Sequence, residues 1–173
     1  MALPQDLLTV AADLATIDPF RPRQAALRRA LSTAYYALFR LLVDAAAAQM
    51  FHAALDRERF TGAAARTFTH AALRRAAEGA MRGGTARPEP ARAILGAGQP
   101  SPDLYRVCKA FIDAQARREA ADYDIAARFD RSDVLASLQE VQNAFAAWDR
   151  LRQTDEGARF LALLVLAPRA RQG

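Results

Sequence analysis

The chain has 173 residues, enough to bury a hydrophobic core without disulfides or a structural metal. Hydrophobic residues make up 52% and charged residues 25%, and no uninterrupted apolar run reaches about 18 residues, so a membrane span is excluded. The single cysteine excludes an internal disulfide, and the start of the sequence has no signal-peptide pattern, so a cytoplasmic location is expected.

The basic charge balance is a weak signal of nucleic-acid binding. The net charge is +5 and the isoelectric point is about 10.1, values that favour a polyanionic partner. However, Lys109 is the only lysine, and the abundance of both arginine and alanine is what GC-rich codons produce. The arginines are also spread along the whole chain. The charge therefore raises the expectation of nucleic-acid contact only slightly.

The sequence contains no metal or cofactor motif. His52, His70 and Cys108 are scattered and do not have the spacing of metal ligands. No Gly-rich dinucleotide motif, P-loop, zinc-protease motif or nucleophile elbow is present either. We therefore expect neither a metal nor a cofactor.

Alanine abundance and the helical spacing of apolar residues predict an all-α protein, since no stretch alternates as a strand would. A first helix is predicted over Pro4–Ala15, and the proline-containing turn 18–22 ends it. The second helix is predicted over Arg23–Phe51. Its apolar surface is wider than one stripe, so we expect it in a central position or at a dimer face.

Four more helices follow in the predicted order. The third covers Gly62–Met81, and the Gly/Pro-rich segment 83–102 after it is expected to be a mobile loop because it has little apolar content. The remaining predicted helices are Ser101–Ala121, Asp130–Leu151 and Glu156–Ala167. The fifth helix has the clearest inward stripe: Val134, Leu135, Leu138, Val141, Phe145 and Trp148.

The most informative stretch is 117–124, which combines two arginines, a tyrosine and three carboxylates. Arg118 and Asp122 are four residues apart and share a helix face, while Tyr123 lies five residues after Arg118. An arginine beside a hydroxyl and a carboxylate can bind a phosphate. The pair Arg118–Asp122 can equally be a surface ion pair worth about 0.3–0.5 kcal/mol. Tyr123 can equally pack its ring inward, with its hydroxyl on a backbone carbonyl.

Two segments together resemble the HEPN domain family. Arg29–Phe39 is similar to the R-x-x-x-x-A-Y-Y-A-x-F helix of these domains, and Arg118–Asp124 is similar to their R-x-x-A-D-Y-D segment. The resemblance covers Arg23–Leu151 apart from the Gly/Pro-rich insertion. It implies a single HEPN-like domain over residues 1–173, an up-and-down bundle of four to six helices, and a homodimer with the arginine motif in a cleft at its interface.

The resemblance also implies two classes of function. Many HEPN proteins are metal-independent ribonucleases, often toxins paired with a nucleotidyltransferase-type antitoxin, and others bind RNA or protein partners without cleavage. The ribonucleases have a histidine four to six residues after the arginine. Here the positions within reach are Asp122, Tyr123 and Asp124.

Cleavage of RNA needs a base active near neutral pH and a cation on the phosphate. Arg118 can supply the cation, but a tyrosine hydroxyl ionises only in alkaline solution and is a poor base. A non-catalytic module that binds RNA, a nucleotide or a protein partner is therefore ranked first. An endoribonuclease toxin with Arg118 and Tyr123 as catalytic residues is ranked second.

The predicted ligand-binding residues come from both similar segments. Tyr35 and Tyr36 point about 100° apart on a helix, so one is expected in the core and the other at the cleft. His52 or His70 could replace the missing base only if the fold brought one of them to Arg118; each is expected to be an exposed helix residue. The predicted site consists of Arg117, Arg118, Asp122, Tyr123, Asp124 and Tyr36.

Overall fold

The computed structural model describes residues 3–18, 20–51 and 57–166, with 57–60 described by their backbone alone. This part of the chain is helical and contains no strand, which confirms the all-α prediction. Its eight α-helices and one 3-10 helix are α1 Leu3–Thr16, α2 Gln24–Met50, α3 Arg57–Ala65, α4 His70–Met81, the 3-10 helix Gly84–Ala86, α5 Ala91–Leu95, α6 Pro102–Tyr123, α7 Arg131–Leu151 and α8 Asp155–Leu166.

The chain forms two compact units. The first consists of Met1–Arg40 and Ala110–Ala146, and the second of Leu41–Lys109 and Ala147–Gly173. Each unit is therefore assembled from segments that are distant in sequence. The single HEPN-like domain expected over residues 1–173 stays a prediction, as does the homodimer.

The core of the first unit is aromatic where α2 packs against α6. Tyr35 is fully buried, and its ring centroid lies 5.6 Å from that of Phe111 and 6.1 Å from that of Phe39. Burial of such rings contributes strongly to stability because each removes a large apolar area from water. The prediction that one tyrosine of the adjacent pair lies in the core is confirmed for Tyr35.

The inward stripe of the fifth predicted helix, now α7, is confirmed at five of its six positions. Val134, Leu138 and Trp148 are among its buried residues, but Leu135 is 40% exposed. Leu135 follows Val134 directly, so its side chain points about 100° away around the helix, which places it off the buried face.

The second unit packs α8 against α4 and α5. Trp148 meets Phe160 edge to face, with 6.5 Å between ring centroids, and both rings are buried. Asp103 at the start of α6 pairs with Arg150 at the end of α7 through two contacts of 2.6 and 3.0 Å. The Arg150 guanidinium lowers the pKa of the Asp103 carboxyl through this bidentate hydrogen bond.

The predicted third helix is divided into α3 and α4. The amide and the hydroxyl of Thr67 both donate to the carbonyl oxygen of Ala64, at 2.9 and 2.7 Å. The hydroxyl of Thr69 then accepts from the amide of Ala72 at 3.2 Å and caps α4. Threonine side chains that bond to nearby backbone groups compete with the helix ladder, so one continuous helix over Gly62–Met81 is a wrong prediction.

The Gly/Pro-rich segment 83–102, predicted as a mobile loop, contains the 3-10 helix and α5. The side chain of Arg87, a residue only 2% exposed, holds the segment together. Its guanidinium donates to carbonyl oxygens at the ends of α4 and α5: Ala80 at 3.3 Å, Arg82 at 2.7 Å, Leu95 at 3.3 Å and Gly96 at 2.7 Å. The mobility expected of this segment stays a prediction.

No described helix combines the length and the apolar content that crossing a membrane requires.

Arg87 should be a major stabilising residue of the second unit, because its buried guanidinium donates to four carbonyl oxygens. Replacing it by methionine keeps most of the apolar stem but leaves buried carbonyl oxygens without donors. We expect Arg87→Met to lower the free energy of unfolding by about 3 kcal/mol, as measured by urea denaturation followed by circular dichroism. Arg92→Met removes an arginine that is 47% exposed and paired with Glu89, so we expect it to cost less than about 1 kcal/mol. Equal losses in the two variants would contradict this role.

Cys108 offers a second test of the core. Burial raises the pKa of its thiol far above the ordinary value, and the negative charge of Glu156 adds to the shift. Almost no thiolate is then available to react. We expect iodoacetamide at about pH 8 to leave the native protein unmodified and to label the urea-unfolded chain at the rate of a free cysteine, as measured by intact mass. Rapid labelling of the native protein would show that Cys108 is accessible.

Candidate functional site

The arginine motif lies near the end of α6 and faces α2 within the first unit. α6 continues to Tyr123, two residues beyond its predicted end, so Arg117 and Arg118 lie just before its last turn. Three residues of α2 spaced by four, Arg28, Ser32 and Tyr36, contact this end of α6. Arg28 also donates to the carbonyl oxygen of Ala127 beyond α6, whereas Tyr36 contacts Arg118, so the partner number falls from the start of this face to its end and the two helices pack antiparallel here.

Arg118 lies between two tyrosine rings. The carbon atom at the centre of its guanidinium is 5.7 Å from the ring centroid of Tyr36 and 5.2 Å from that of Tyr123. Its Nη2 atom donates to the hydroxyl oxygens of both, at 3.2 Å for Tyr36 and 3.4 Å for Tyr123. The cation is thus held by ring faces and hydroxyl groups from two helices.

Asp122 completes the enclosure of Arg118. The distance between Arg118 Nε and Asp122 Oδ2 is 2.7 Å. This is a charge contact rather than a hydrogen bond, because the buried Nε–H does not point at an acceptor. The other carboxylate oxygen, Oδ1, accepts from the hydroxyl of Ser32 at 2.5 Å. Both oxygens of Asp122 are therefore occupied by the first unit itself.

The electrostatics keep Arg118 charged. Partial burial by itself would lower the pKa of this guanidinium, but Tyr36, Asp122 and Tyr123 together raise the pKa above its ordinary value. Only 16% of the Arg118 side chain and 28% of that of Asp122 are exposed. The pair is consequently better shielded from water than an open surface ion pair, and salt screens it less.

The two tyrosines that contact Arg118 differ in exposure. Tyr36 is half-buried, whereas Tyr123 is 71% exposed. The alternative in which Tyr123 packs its ring inward, with its hydroxyl on a backbone carbonyl, is therefore wrong, because its hydroxyl meets Arg118 and most of its surface faces water. A large exposed ring beside a fixed cation is an arrangement on which a flat ligand can stack.

The remaining predicted site residues are Arg117 and Asp124. Arg117 is exposed on α6. The carboxylate of Asp124 accepts from the amides of Ala126 and Ala127, at 2.9 and 3.2 Å, so it stabilises the turn after α6. The structure thus brings Arg118, Asp122, Tyr123 and Tyr36 together and gives Asp124 a local backbone role.

The two histidines are expected from the sequence to be exposed helix residues. His70 is the first residue of α4, belongs to the second unit and is half-buried rather than exposed. His52 lies outside the described residues. Within residues 3–18, 20–51 and 57–166, no three His, Cys, Asp or Glu side chains are grouped so as to hold a metal ion.

Arg28 is a residue of this region that the sequence motifs did not single out. It anchors the C-terminal end of α6 by donating to the carbonyl oxygens of Ala121 at 2.7 Å, Asp124 at 2.9 Å and Ala127 at 2.6 Å. Its guanidinium also lies 5.4 Å from the ring centroid of Phe129. The sequence feature that could have indicated Arg28 is its position four residues before Ser32 and eight before Tyr36, on the same face of one helix.

Comparison with known proteins leaves this geometry to be interpreted on its own terms. No family model, no curated protein and no solved structure matches the chain.

The anchoring role of Arg28 can be tested against its neighbour. Arg28→Met removes the side-chain donors of three carbonyl oxygens at and just after the end of α6. We expect a loss of about 2 kcal/mol in the free energy of unfolding, together with faster hydrogen exchange of the amides that follow α6. Arg29→Met is the matched control, because Arg29 is exposed on the same helix, and its replacement should change stability by less than about 0.5 kcal/mol. An unchanged exchange rate in Arg28→Met would exclude the anchor.

Proposed function

We propose that this chain is a HEPN-like helical module that binds RNA, a nucleotide or a protein partner through the cleft around Arg118 and does not cleave its ligand. The observation that carries the proposal is the enclosure of the Arg118 guanidinium by Tyr36, Tyr123 and Asp122. It agrees with the resemblance of the two segments on α2 and α6 to the HEPN motifs.

An RNA or nucleotide ligand is favoured over a protein partner. Nucleobases stack on exposed aromatic rings, and each such contact is worth about 1–3 kcal/mol. Tyr123 provides an exposed ring, while Arg118 provides a cation for a phosphate group. The overall charge of +5 adds a general attraction to polyanions.

The chemistry of Asp122 argues against cleavage. A general base for this cleavage must take a proton from the 2′-hydroxyl near neutral pH. A carboxylate is a weak base and repels a phosphate, and that of Asp122 is also in contact with Arg118 and Ser32. The hydroxyl oxygens of Tyr36 and Tyr123 accept hydrogen bonds from Arg118, and a tyrosine hydroxyl is a poor base near neutral pH.

The proposal includes a homodimer, because the resemblance implies that a second copy borders the arginine cleft. Tyr123 is 71% exposed and Ile125 is 95% exposed at the end of α6, so apolar surface is available there for a partner. Multi-angle light scattering should give the mass of two chains, and Ile125→Glu should shift the mass towards one chain.

Binding and cleavage are separated by one assay. A short fluorescent single-stranded RNA is mixed with the protein in EDTA, and both anisotropy and RNA length are followed. We expect salt-sensitive binding without shortening of the RNA. Arg118→Ala and Tyr123→Ala should each weaken binding about tenfold, a loss of about 1.4 kcal/mol, whereas Tyr123→Phe should retain it because the ring remains.

The control for general charge is Arg29→Ala, which removes one exposed arginine from α2 and should weaken binding less than Arg118→Ala does. Circular dichroism and thermal unfolding confirm that each variant is folded. RNA shortening that disappears in Arg118→Ala would identify the chain as a metal-independent endoribonuclease, the toxin-type alternative with a nucleotidyltransferase-type antitoxin. Absence of RNA binding would leave a nucleotide or a protein partner as the proposed ligand.

A further inference from the structure

The second unit contains a cavity of about 330 Å³ bordered by α4, α5, α8 and the segment between α4 and α5. Its apolar wall includes Pro88, Ala91, Leu163 and Leu166. The volume is at the lower end of the range of small-molecule sites in proteins. If each non-hydrogen atom takes about 30 Å³, as a water molecule does in the liquid, the cavity holds a ligand of about ten such atoms.

The two carboxylates of the lining already have cationic partners. Glu78 accepts from Nε of Arg74 at 2.9 Å, one helical turn away on α4. Glu89 accepts from Nε of Arg92 at 2.6 Å, and its second oxygen accepts from the amide of Ala93 at 3.2 Å. The negative charge at the cavity is therefore balanced by residues outside the lining.

The two arginines of the lining have no such balance. Arg75 lies in α4, and Arg82 is the residue that directly follows this helix. Seven residues correspond to about two helical turns, so both lie on the same side of the helix. Both are exposed, and neither guanidinium group makes a hydrogen bond or an ion pair with another residue in the described part of the chain. The cavity consequently combines an apolar wall with two uncompensated cations.

The walls of the cavity are fixed by two features of the fold. Arg87 bonds the ends of α4 and α5 to each other, as described above. Gly79 lets these segments approach closely, because a Cβ atom at this position would lie 3.2 Å from Cβ of Ala91 and 3.5 Å from Cγ of Pro88. A preformed wall lowers the conformational entropy that a ligand must overcome on binding.

We propose that this cavity binds a small organic carboxylate with an aliphatic body. Its carboxylate pairs with Arg75 and Arg82, and its hydrocarbon part lies against Ala91, Leu163 and Leu166. Guanidinium groups suit this acid group because their planar donors match two carboxylate oxygens. The site belongs to the second unit and is independent of the function proposed for the cleft around Arg118.

Octanoate is the probe, since it has a carboxylate and about ten non-hydrogen atoms. Isothermal titration calorimetry of the whole chain should give a dissociation constant below about 1 mM. Arg75→Glu and Arg82→Glu should each weaken octanoate binding at least about tenfold. Arg66→Glu is the matched control: it makes the same charge change at an exposed residue of the second unit outside the cavity lining, and it should bind octanoate as the unaltered chain does.

Two further ligands test separately the negative charge and the hydrocarbon part of octanoate. Butyrate should bind more weakly than octanoate because it covers less of the apolar wall, and octylammonium should not bind because it meets two arginines. Circular dichroism verifies folding, and Arg75→Gln and Arg82→Gln replace any charge-reversal variant that does not fold. The proposal is overturned if octanoate does not bind at millimolar concentration, if the arginine substitutions leave binding unchanged, or if octylammonium binds equally well.

Discussion

Donation from an arginine side chain to the carbonyl oxygens at the end of a helix is the interaction on which this structure depends. Arg28 donates in this way at the end of α6, Arg87 at the ends of α4 and α5, and Arg131 to the carbonyl oxygens of Ala15 and Asp18 at the end of α1. The last carbonyl groups of a helix lack partners within the helix and carry its negative dipole end, so a guanidinium satisfies both needs. An arginine-rich composition thus has a structural use.

In the first unit this interaction positions the residues around Arg118. Arg28 fixes the end of α6 against α2, and the next two residues on the same face of α2, Ser32 and Tyr36, then meet Asp122 and Arg118. The Arg118 guanidinium is consequently held by several polar contacts rather than by one ion pair. A fixed guanidinium beside an exposed ring is the arrangement on which the proposed binding of a ligand rests.

In the second unit, donation from Arg87 to carbonyl oxygens holds the Gly/Pro-rich segment 83–102 in place. Arg87 is only 2% exposed and has carbonyl groups as partners, so its charge is stabilised by backbone dipoles. The segment between α4 and α6 can then fold into two short helices and form one wall of a cavity. Composition alone favoured a loop here because the decisive hydrogen bonds come from one side chain that looks like any other arginine in the sequence.

The sequence by itself determined the all-α class, the bounds of the long helices and the candidate motif, because helical period and capping residues are local properties. It missed the break at Thr67 and Thr69, where side-chain hydrogen bonds outweigh helix propensity, and it left open whether Tyr123 packs inward or is exposed. Only the tertiary structure decided how the site is held, since Arg28 bonds to carbonyl groups 93 to 99 positions away in the chain. Such partners are chosen by the packing of α2 against α6, and no local pattern encodes that packing.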